Sequence, residues 1–290
     1  MTNTLDPGEI SRAYLEDVRA EVHELGARLS IVGLLATEDK AAQVYADYTR
    51  RGCERIDIGF SLSKVPRLEL ENEIQRINED PGTHGVLVYY PIFGVERDNF
   101  LKDLVDPRKD IEGLSTYWLR RLYTNDRTDP DGHKAILPCT PLAIIKLLDA
   151  AVAKTDARLA GQTVVVFNRS EVVGRPLASM LANDGAHVVY FDEYGPLEIS
   201  PEGRTETKIT RAEALKRASI VVTGVSSRQF RPIDASELGD APICLNFSTI
   251  RNFTDEARAA ARIFIPRVGP MTVTMVLRNA ARLYRNYHAS

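Results

Sequence analysis

The residues best suited to bind a ligand lie in one stretch of the chain, between Val164 and Asp192. The stretch holds an apolar run, a turn with Ser170 and Gly174, an Ala/Leu-rich segment, a second apolar run and then an acid. A parallel βαβ unit has this order, because its buried strands are continuous apolar runs and its crossover is helical. A glycine before the helix lets the backbone approach a pyrophosphate, and an acid about 20 residues further on can bind the ribose hydroxyls. The stretch therefore predicts a dinucleotide site.

The glycine pattern of this site is incomplete, because Asn168 stands at the first glycine position. We predict the following cofactor-binding residues: Asn168, Arg169, Ser170, Val173, Gly174, Asp192, Thr223 and Gly224. A solvated turn acid is the alternative interpretation of Asp192. If Asp192 does bind the ribose, a 2′-phosphate about 4 Å away would be repelled by roughly 4 kcal/mol at an effective dielectric of about 20. Arg169 could pair with such a phosphate, but it can also bind the pyrophosphate, so NAD is favoured over NADP.

A second group of candidates lies in the first half of the chain. Tyr45 and Thr49 are four residues apart on a predicted helix and therefore share one face. Tyr89 and Tyr90 end a predicted strand, where open α/β sheets place their ligand contacts. Glu112 lies in a polar turn, Pro107 to Gly113. Taken alone, a tyrosine at a sheet edge more often packs and a turn acid is more often solvated.

Helices and strands alternate along the first half of the chain. Helical spacing and turn signals predict helices at Asp6–Leu25, from the cap residue Asp39 to Cys53, and at Leu68–Asn78, with strands at Leu29–Leu35, Arg55–Phe60 and His84–Tyr90. This alternation predicts a small parallel α/β domain of three layers.

The second half of the chain predicts a Rossmann-like domain. Thr140 and Pro141 indicate the N-cap and the first position of a helix that reaches about Val152. Apolar runs at 220–224, 243–247 and 263–265 are typical of buried strands, and a helix over Pro270–Tyr287 should return to the first domain. We predict that residues 1–148 and 270–290 form the first domain, and that residues 149–269 form the nucleotide-binding domain.

Composition narrows the class of protein. The 290 residues are 44% hydrophobic and 27% charged, with a formal net charge of −3, which argues against a nucleic-acid partner. No apolar run approaches the roughly 18 residues that a membrane-spanning helix needs, and the polar N-terminus does not resemble a signal peptide. The three cysteines are far apart and the five histidines form no pair at ligand spacing, so we expect reduced cytoplasmic thiols and no metal site.

Six segments of the chain carry, in order, the motifs of one known protein family. They are Ala41–Cys53, Gly85–Pro91, Lys109–Leu114, Pro138–Pro141, Arg169–Pro176 and Val268–Thr272. KDIEG resembles the family's KDVDG, PCTP is identical to its PCTP, RSEVVGRP matches RSxxVGxP, and VGPMTV matches VGPMTV. On these motifs the sequence resembles the methylenetetrahydrofolate dehydrogenase/cyclohydrolase family.

The resemblance implies roles for the second group of candidates. Tyr45 would stack on the p-aminobenzoyl ring, and Glu112, one methylene longer than the family's aspartate, would accept hydrogen bonds from the amino edge of the pterin. The loop Val268-Gly269-Pro270 would line the folate pocket. The implied catalytic set is Tyr45, Thr49, Tyr89 and Glu112, and Tyr89 would also contact the folate. The resemblance further implies that the protein is a homodimer and that the first domain is the folate-binding catalytic domain.

Two departures from the family pattern are informative. Thr49 stands where bifunctional members have a lysine, and Tyr89 where their VQLP motif has a glutamine. Hydrolysis of the methenyl bridge needs proton transfers, yet threonine does not titrate near neutral pH and tyrosine titrates near about 10. Hydride transfer to a nicotinamide needs positioning and exclusion of water instead. The sequence therefore resembles the monofunctional NAD-dependent members, which oxidise 5,10-methylenetetrahydrofolate to 5,10-methenyltetrahydrofolate.

Three other interpretations remain open at this point. The protein could be a bifunctional dehydrogenase/cyclohydrolase in which another group replaces the lysine. It could be a catalytically inactive relative that binds nucleotide or folate. An enzyme similar to shikimate dehydrogenase has a comparable two-domain plan, but the Lys–Asp pair that it needs has no evident place in this sequence.

Overall fold

The computed structural model describes residues 4–26, 28–168, 170–192 and 194–289. The chain forms two compact units. The first unit contains Ser11–Cys139 and the residues from Thr272 onward, and the second contains the residues up to Ile10 together with Thr140–Met271. The boundaries between the units thus fall after Ile10, Cys139 and Met271. The predicted domain boundaries fall after residues 148 and 269. None of the helices in the described ranges is long and apolar enough to cross a lipid bilayer.

The first unit is built on a three-stranded parallel sheet in the order β2-β1-β3. Its elements are α1 (Pro7–Glu24), β1 (Ser30–Leu35), α2 (Lys40–Arg55), β2 (Gly59–Lys64), α3 (Leu70–Glu79), β3 (Gly85–Val88), α4 (Val95–Leu104) and α5 (Thr116–Tyr123). One buried cluster joins Leu34 of β1, Ile74 of α3, Val88 of β3 and Leu101 of α4. The predicted alternation of helix and strand is confirmed.

The second strand was predicted at Arg55–Phe60, and these bounds were wrong. Helix α2 continues to Arg55, Asp57 adopts a positive φ of 60°, and β2 begins only at Gly59. The buried residues Ile56 and Ile58 made the apolar run that suggested a strand, but they lie in the connection. The true strand is at the edge of the sheet and largely exposed, so its sequence lacks a buried-strand pattern.

Helix α4 was not predicted, because polar contacts rather than an apolar stripe anchor it. Only Asp98 and Leu101 of this helix are buried. The Asp98 carboxylate accepts hydrogen bonds from the backbone N–H groups of Ile92 (3.1 Å) and Phe93 (2.9 Å). Such a helix shows little apolar periodicity in its sequence.

The second unit contains a seven-stranded sheet in the order β10-β9-β8-β4-β5-β6-β7. Its elements are α6 (Cys139–Ala153), β4 (Thr163–Phe167), α7 (Gly174–Asn183), β5 (His187–Phe191), β6 (Pro196–Ser200), β7 (Gly203–Glu206), α8 (Arg211–Arg217), β8 (Ile220–Thr223), β9 (Ile243–Asn246), α9 (Asp255–Ala260) and β10 (Ile263–Ile265). Five neighbouring strands of this sheet, β10, β9, β8, β4 and β5, are parallel, as the apolar runs predict. Strands β6 and β7 add an antiparallel hairpin, which was not predicted because β7 is fully exposed.

The start of α6 corrects a second prediction. The helix begins at Cys139, so Thr140 is not its N-cap and Pro141 is not its first residue. The Cys139 N–H donates to the Glu112 carbonyl at 3.2 Å, which satisfies one of the free donors of the first turn. Proline is still tolerated at Pro141, because N–H groups in the first turn have no partner within the helix.

The last helix, α10 (Gly269–Tyr287), closes the chain. From Thr272 onward its residues belong to the first unit. The prediction that the C-terminal helix returns to the first domain is therefore confirmed.

Candidate active site

In the first unit, the structure brings two predicted site residues, Tyr45 and Tyr89, into contact. Their rings meet edge to face, with centroids 5.7 Å apart and planes at 86°. Helix α2 is oriented by Asp39, whose carboxylate caps it by accepting from the Ala42 N–H at 2.9 Å. Tyr89 directly follows β3, and its N–H donates to the Leu34 carbonyl at 3.1 Å. Tyr45 is half-buried and Tyr89 is buried, so Tyr45 is the member of the pair that is partly exposed.

Glu112 lies in a turn that Asp110 holds in place. The Asp110 carboxylate accepts from the N–H groups of Gly113 (2.9 Å) and Ser115 (2.8 Å). Gly113 has a φ of +67°, and a Cβ there would lie 2.8 Å from the Leu137 carbonyl carbon, so glycine suits this turn. The turn predicted as merely polar is thus rigid and partly buried.

The cluster of Tyr45, Tyr89 and Glu112 favours uncharged forms. Burial raises the pKa of Glu112 to about 8, and the neighbouring charge of Asp110 adds to this while Lys102 opposes it. Burial also raises the pKa of Tyr45 well above its usual value, and the charge of Glu112 adds to that effect. The cluster can therefore recognise a flat ring with a polar edge, and Glu112 is its one group that titrates near neutral pH.

The Thr49 side chain is bonded within its own helix and is not exposed to a ligand. It is fully buried, and its hydroxyl donates to the Tyr45 carbonyl one turn earlier on α2, at 3.0 Å. Burial raises the pKa of Tyr89 above its usual value, with a smaller opposing effect from Thr49. Neither residue can exchange a proton near neutral pH, as the sequence argument requires.

In the second unit, the loop between β4 and α7 explains the incomplete glycine pattern. The Asn168 amide donates to the Gly224 carbonyl at 2.7 Å, and its Oδ1 accepts from the Ser170 N–H at 3.0 Å. Asparagine therefore ties the ends of two neighbouring strands, a contact that glycine could not make. At Gly174 an added Cβ would overlap the Asn168 carbonyl oxygen, so glycine is required where the loop meets the helix. Val173 is the N-cap position of α7. Arg169 lies outside the described residues.

Asp192 follows β5 directly, as predicted, but it also has a local role. Its Oδ1 accepts from the N–H groups of Tyr194 (2.8 Å) and Gly195 (3.1 Å) in the turn that leads to β6. The side chain is half-buried. The acid is thus a turn residue at the carboxyl end of a parallel strand, where both interpretations placed it.

The sequence argument missed Phe247, which directly follows β9. Its ring covers Gly224, where any Cβ would overlap it. Thr223 is fully buried, and its hydroxyl donates to Asn246 Oδ1 at 3.2 Å. The sequence did hold a signal for Phe247, because this residue directly follows an apolar strand. Asp192 was predicted from the same kind of position, after β5.

The remaining predicted residues lie where β10 leads into α10. Val268 is buried, whereas Gly269 and Pro270 are the first residues of α10 and not part of a loop. All three belong to the second unit. The exposed Arg267 is 3.5 Å from Asp6, with which it forms an ion pair.

The fold and these sites define a two-domain α/β protein with a Rossmann-like, dinucleotide-binding unit. Comparison with known protein families narrows this class. Residues 5–112 match the tetrahydrofolate dehydrogenase/cyclohydrolase catalytic domain, and residues 138–288 match the NAD(P)-binding domain of the same family. The chain belongs to the tetrahydrofolate dehydrogenase/cyclohydrolase family.

Several relatives are similar over nearly the whole chain. The methylenetetrahydrofolate dehydrogenase [NAD(+)] of Dictyostelium discoideum is 37% identical, with 97% of this chain and 94% of the relative covered. The bifunctional protein FolD of Bacillus subtilis is 29% identical, with 97% and 98% covered. The solved structure of the NAD-dependent 5,10-methylenetetrahydrofolate dehydrogenase of Saccharomyces cerevisiae is 32% identical and has a TM-score of 0.89, with 98% and 97% covered.

Proposed function

We propose that this protein oxidises 5,10-methylenetetrahydrofolate to 5,10-methenyltetrahydrofolate with NAD and does not hydrolyse the product. The observation that carries the proposal is the pair Thr49 and Tyr89. Both lie at the cluster, and neither can supply the proton transfers of hydrolysis. Relatives at 32–37% identity that are named NAD-dependent dehydrogenases support the oxidation and the cofactor.

The second unit suits NAD. Gly174 begins α7, and the N-terminus of a helix would favour the negative charge of a pyrophosphate. Asn168 holds the neighbouring loop, and Asp192 would accept hydrogen bonds from the adenosine ribose while repelling a 2′-phosphate. NAD, when bound, accepts the hydride, and the task of the protein is to orient it and to exclude water.

The first unit suits the folate. Tyr45 would offer its ring to the p-aminobenzoyl group, while Glu112 would accept hydrogen bonds from the amino edge of the pterin. Because both side chains are partly buried, water would be largely displaced from the reacting carbon, which favours hydride transfer over hydrolysis.

One observation favours a second candidate, a bifunctional dehydrogenase/cyclohydrolase. The pKa of about 8 for Glu112 is well placed for general acid–base catalysis. In that case Glu112 would take over the proton transfers of the missing lysine.

Two assays on the purified protein separate these functions. The first follows NADH or NADPH formation from methylenetetrahydrofolate with NAD and NADP side by side. We expect turnover with NAD and much slower turnover with NADP, and equal rates would contradict the role of Asp192. The second follows the loss of methenyltetrahydrofolate. We expect the spontaneous rate, and a clearly faster rate that disappears in Glu112→Gln would establish the bifunctional alternative. A protein that binds NAD but gives no NADH would be an inactive relative.

A further inference from the structure

Asn279 is a fully buried polar residue of α10 whose contacts converge on the turn that carries Glu112. Its Nδ2 donates to the Ile111 carbonyl at 3.0 Å and to the Leu137 carbonyl at 2.9 Å, and it lies 3.2 Å from Cys139 Sγ. Carbonyl oxygens can only accept, so the amide must face them with its NH₂ group. Both N–H bonds of the amide are therefore used to hold backbone that is distant in sequence.

Cys139 also donates hydrogen bonds to the backbone carbonyls of both Ile111 and Glu112. The Ile111 carbonyl also accepts from Cys139 Sγ at 3.1 Å, and the Glu112 carbonyl accepts from the Cys139 N–H at 3.2 Å. On the other side of the turn, the Asp110 carboxylate accepts from N–H groups three and five residues along the chain, and the Lys109 carbonyl accepts from the Val86 N–H of β3 at 2.8 Å. Asn279 is 168 residues from Ile111, so it ties the turn to the body of the first unit.

The same helix supports the element that carries Tyr45. At Gly52 of α2, an added Cβ would lie only 2.7 Å from Val273 Cγ1 and 3.2 Å from Leu277 Cδ1. Helix α2 therefore packs closely on α10, at residues that lie six and two positions before Asn279. One helix thus contacts both the turn that carries Glu112 and the helix that carries Tyr45.

We propose that Asn279 is a positioning residue for folate binding, which holds the Glu112 turn at a set position relative to Tyr45. The inference rests on the proposed function, because Glu112 is the group assigned there to the pterin edge. Loss of the amide removes a donor from the Leu137 carbonyl and leaves the Ile111 carbonyl with the weaker thiol donor of Cys139, so the turn relaxes away from its place. Folate binding weakens as a result, while NAD binding in the second unit is unaffected.

The test compares Asn279→Leu, which has a similar volume and no donor, with Thr274→Val on the same helix. Thr274 is also buried, and its hydroxyl pairs with that of Ser11 at 2.9 Å, away from Glu112. Thr274→Val therefore removes a buried side-chain hydrogen bond from α10 without removing a donor from the Glu112 turn. If Asn279→Leu fails to fold, Asn279→Ser retains a hydroxyl that can donate to one carbonyl and is measured instead. The readouts are the Kd for tetrahydrofolate by calorimetry, the KM for methylenetetrahydrofolate and for NAD, and the Tm.

We expect the Asn279 variant to raise the Kd and KM for folate by roughly tenfold or more, with the KM for NAD unchanged. Thr274→Val should lower the Tm comparably and leave folate binding intact. Combined with Glu112→Gln, the Asn279 change should add little, because both act through one contact. Additive effects, unchanged folate binding, or equal loss in Thr274→Val would overturn the proposal. A wild-type protein that binds tetrahydrofolate but forms no NADH would refute the proposed function alone, and one that does not bind it would refute both.

Discussion

Folate binding should release a proton from Glu112. The pKa of this carboxyl is about 8, because burial and the charge of Asp110 disfavour its ionised form. At pH 7 about nine-tenths of the molecules therefore carry a protonated Glu112, and at pH 9 only about one-tenth do. A carboxylate that accepts from the pterin amino edge is stabilised in its charged form, so its pKa falls on binding. When the pKa in the complex falls well below 7, the release is about 0.9 proton per folate at pH 7 and about 0.1 at pH 9.

Isothermal titration calorimetry measures this number directly. Tetrahydrofolate is titrated at each pH in two buffers of different ionisation enthalpy, and the difference in heat gives the protons released. Glu112→Gln is the control, since it keeps the shape of the side chain and cannot titrate. NAD titrated alone should show no such release from Glu112. Equal heats in both buffers at pH 7, or the same release in wild type and Glu112→Gln, would refute the role of Glu112 as an ionised acceptor.

Three further substitutions test Asp192, Thr49 and Gly174. Asp192→Asn keeps the oxygen that caps the turn but removes the charge, so the NADP-to-NAD ratio of kcat/KM should rise by roughly tenfold or more. An unchanged NADP-to-NAD ratio would show that Asp192 does not lie beside the adenosine ribose. Thr49→Lys alone should leave methenyltetrahydrofolate hydrolysis at the spontaneous rate, because Tyr89 still fills the place of the glutamine. A large gain in that assay would show that Tyr89 is no barrier. Gly174→Ala should cost about 1–3 kcal/mol in urea unfolding and raise the KM for NAD, because its Cβ overlaps a backbone carbonyl. Gly59→Ala, which meets only ordinary contacts, should cost less, and equal losses would contradict this reasoning.

Local sequence patterns predict much of the fold. The continuous apolar runs of β4, β8 and β9 predict parallel strands, because a strand that is buried on both faces needs apolar side chains at every position. Asp39 predicts the start of α2, since its carboxylate caps the helix only three residues away. The choice of Thr49 and Tyr89, and hence the expected loss of hydrolysis, is likewise a matter of residue type alone.

Other features depend on groups that meet only in the folded chain. The edge strand β2 and the β6–β7 hairpin lack an apolar pattern, so pairing with their neighbours, rather than their own sequence, makes them strands. Sequence spacing placed Asp192 after its strand, but only the structure revealed that Oδ1 is used by the following turn. The pKa of Glu112 comes from burial and from Asp110, and its turn is held by Asn279, 168 residues from Ile111. Periodicity and capping are local properties, whereas desolvation and hydrogen bonds between distant residues exist only once the chain has folded.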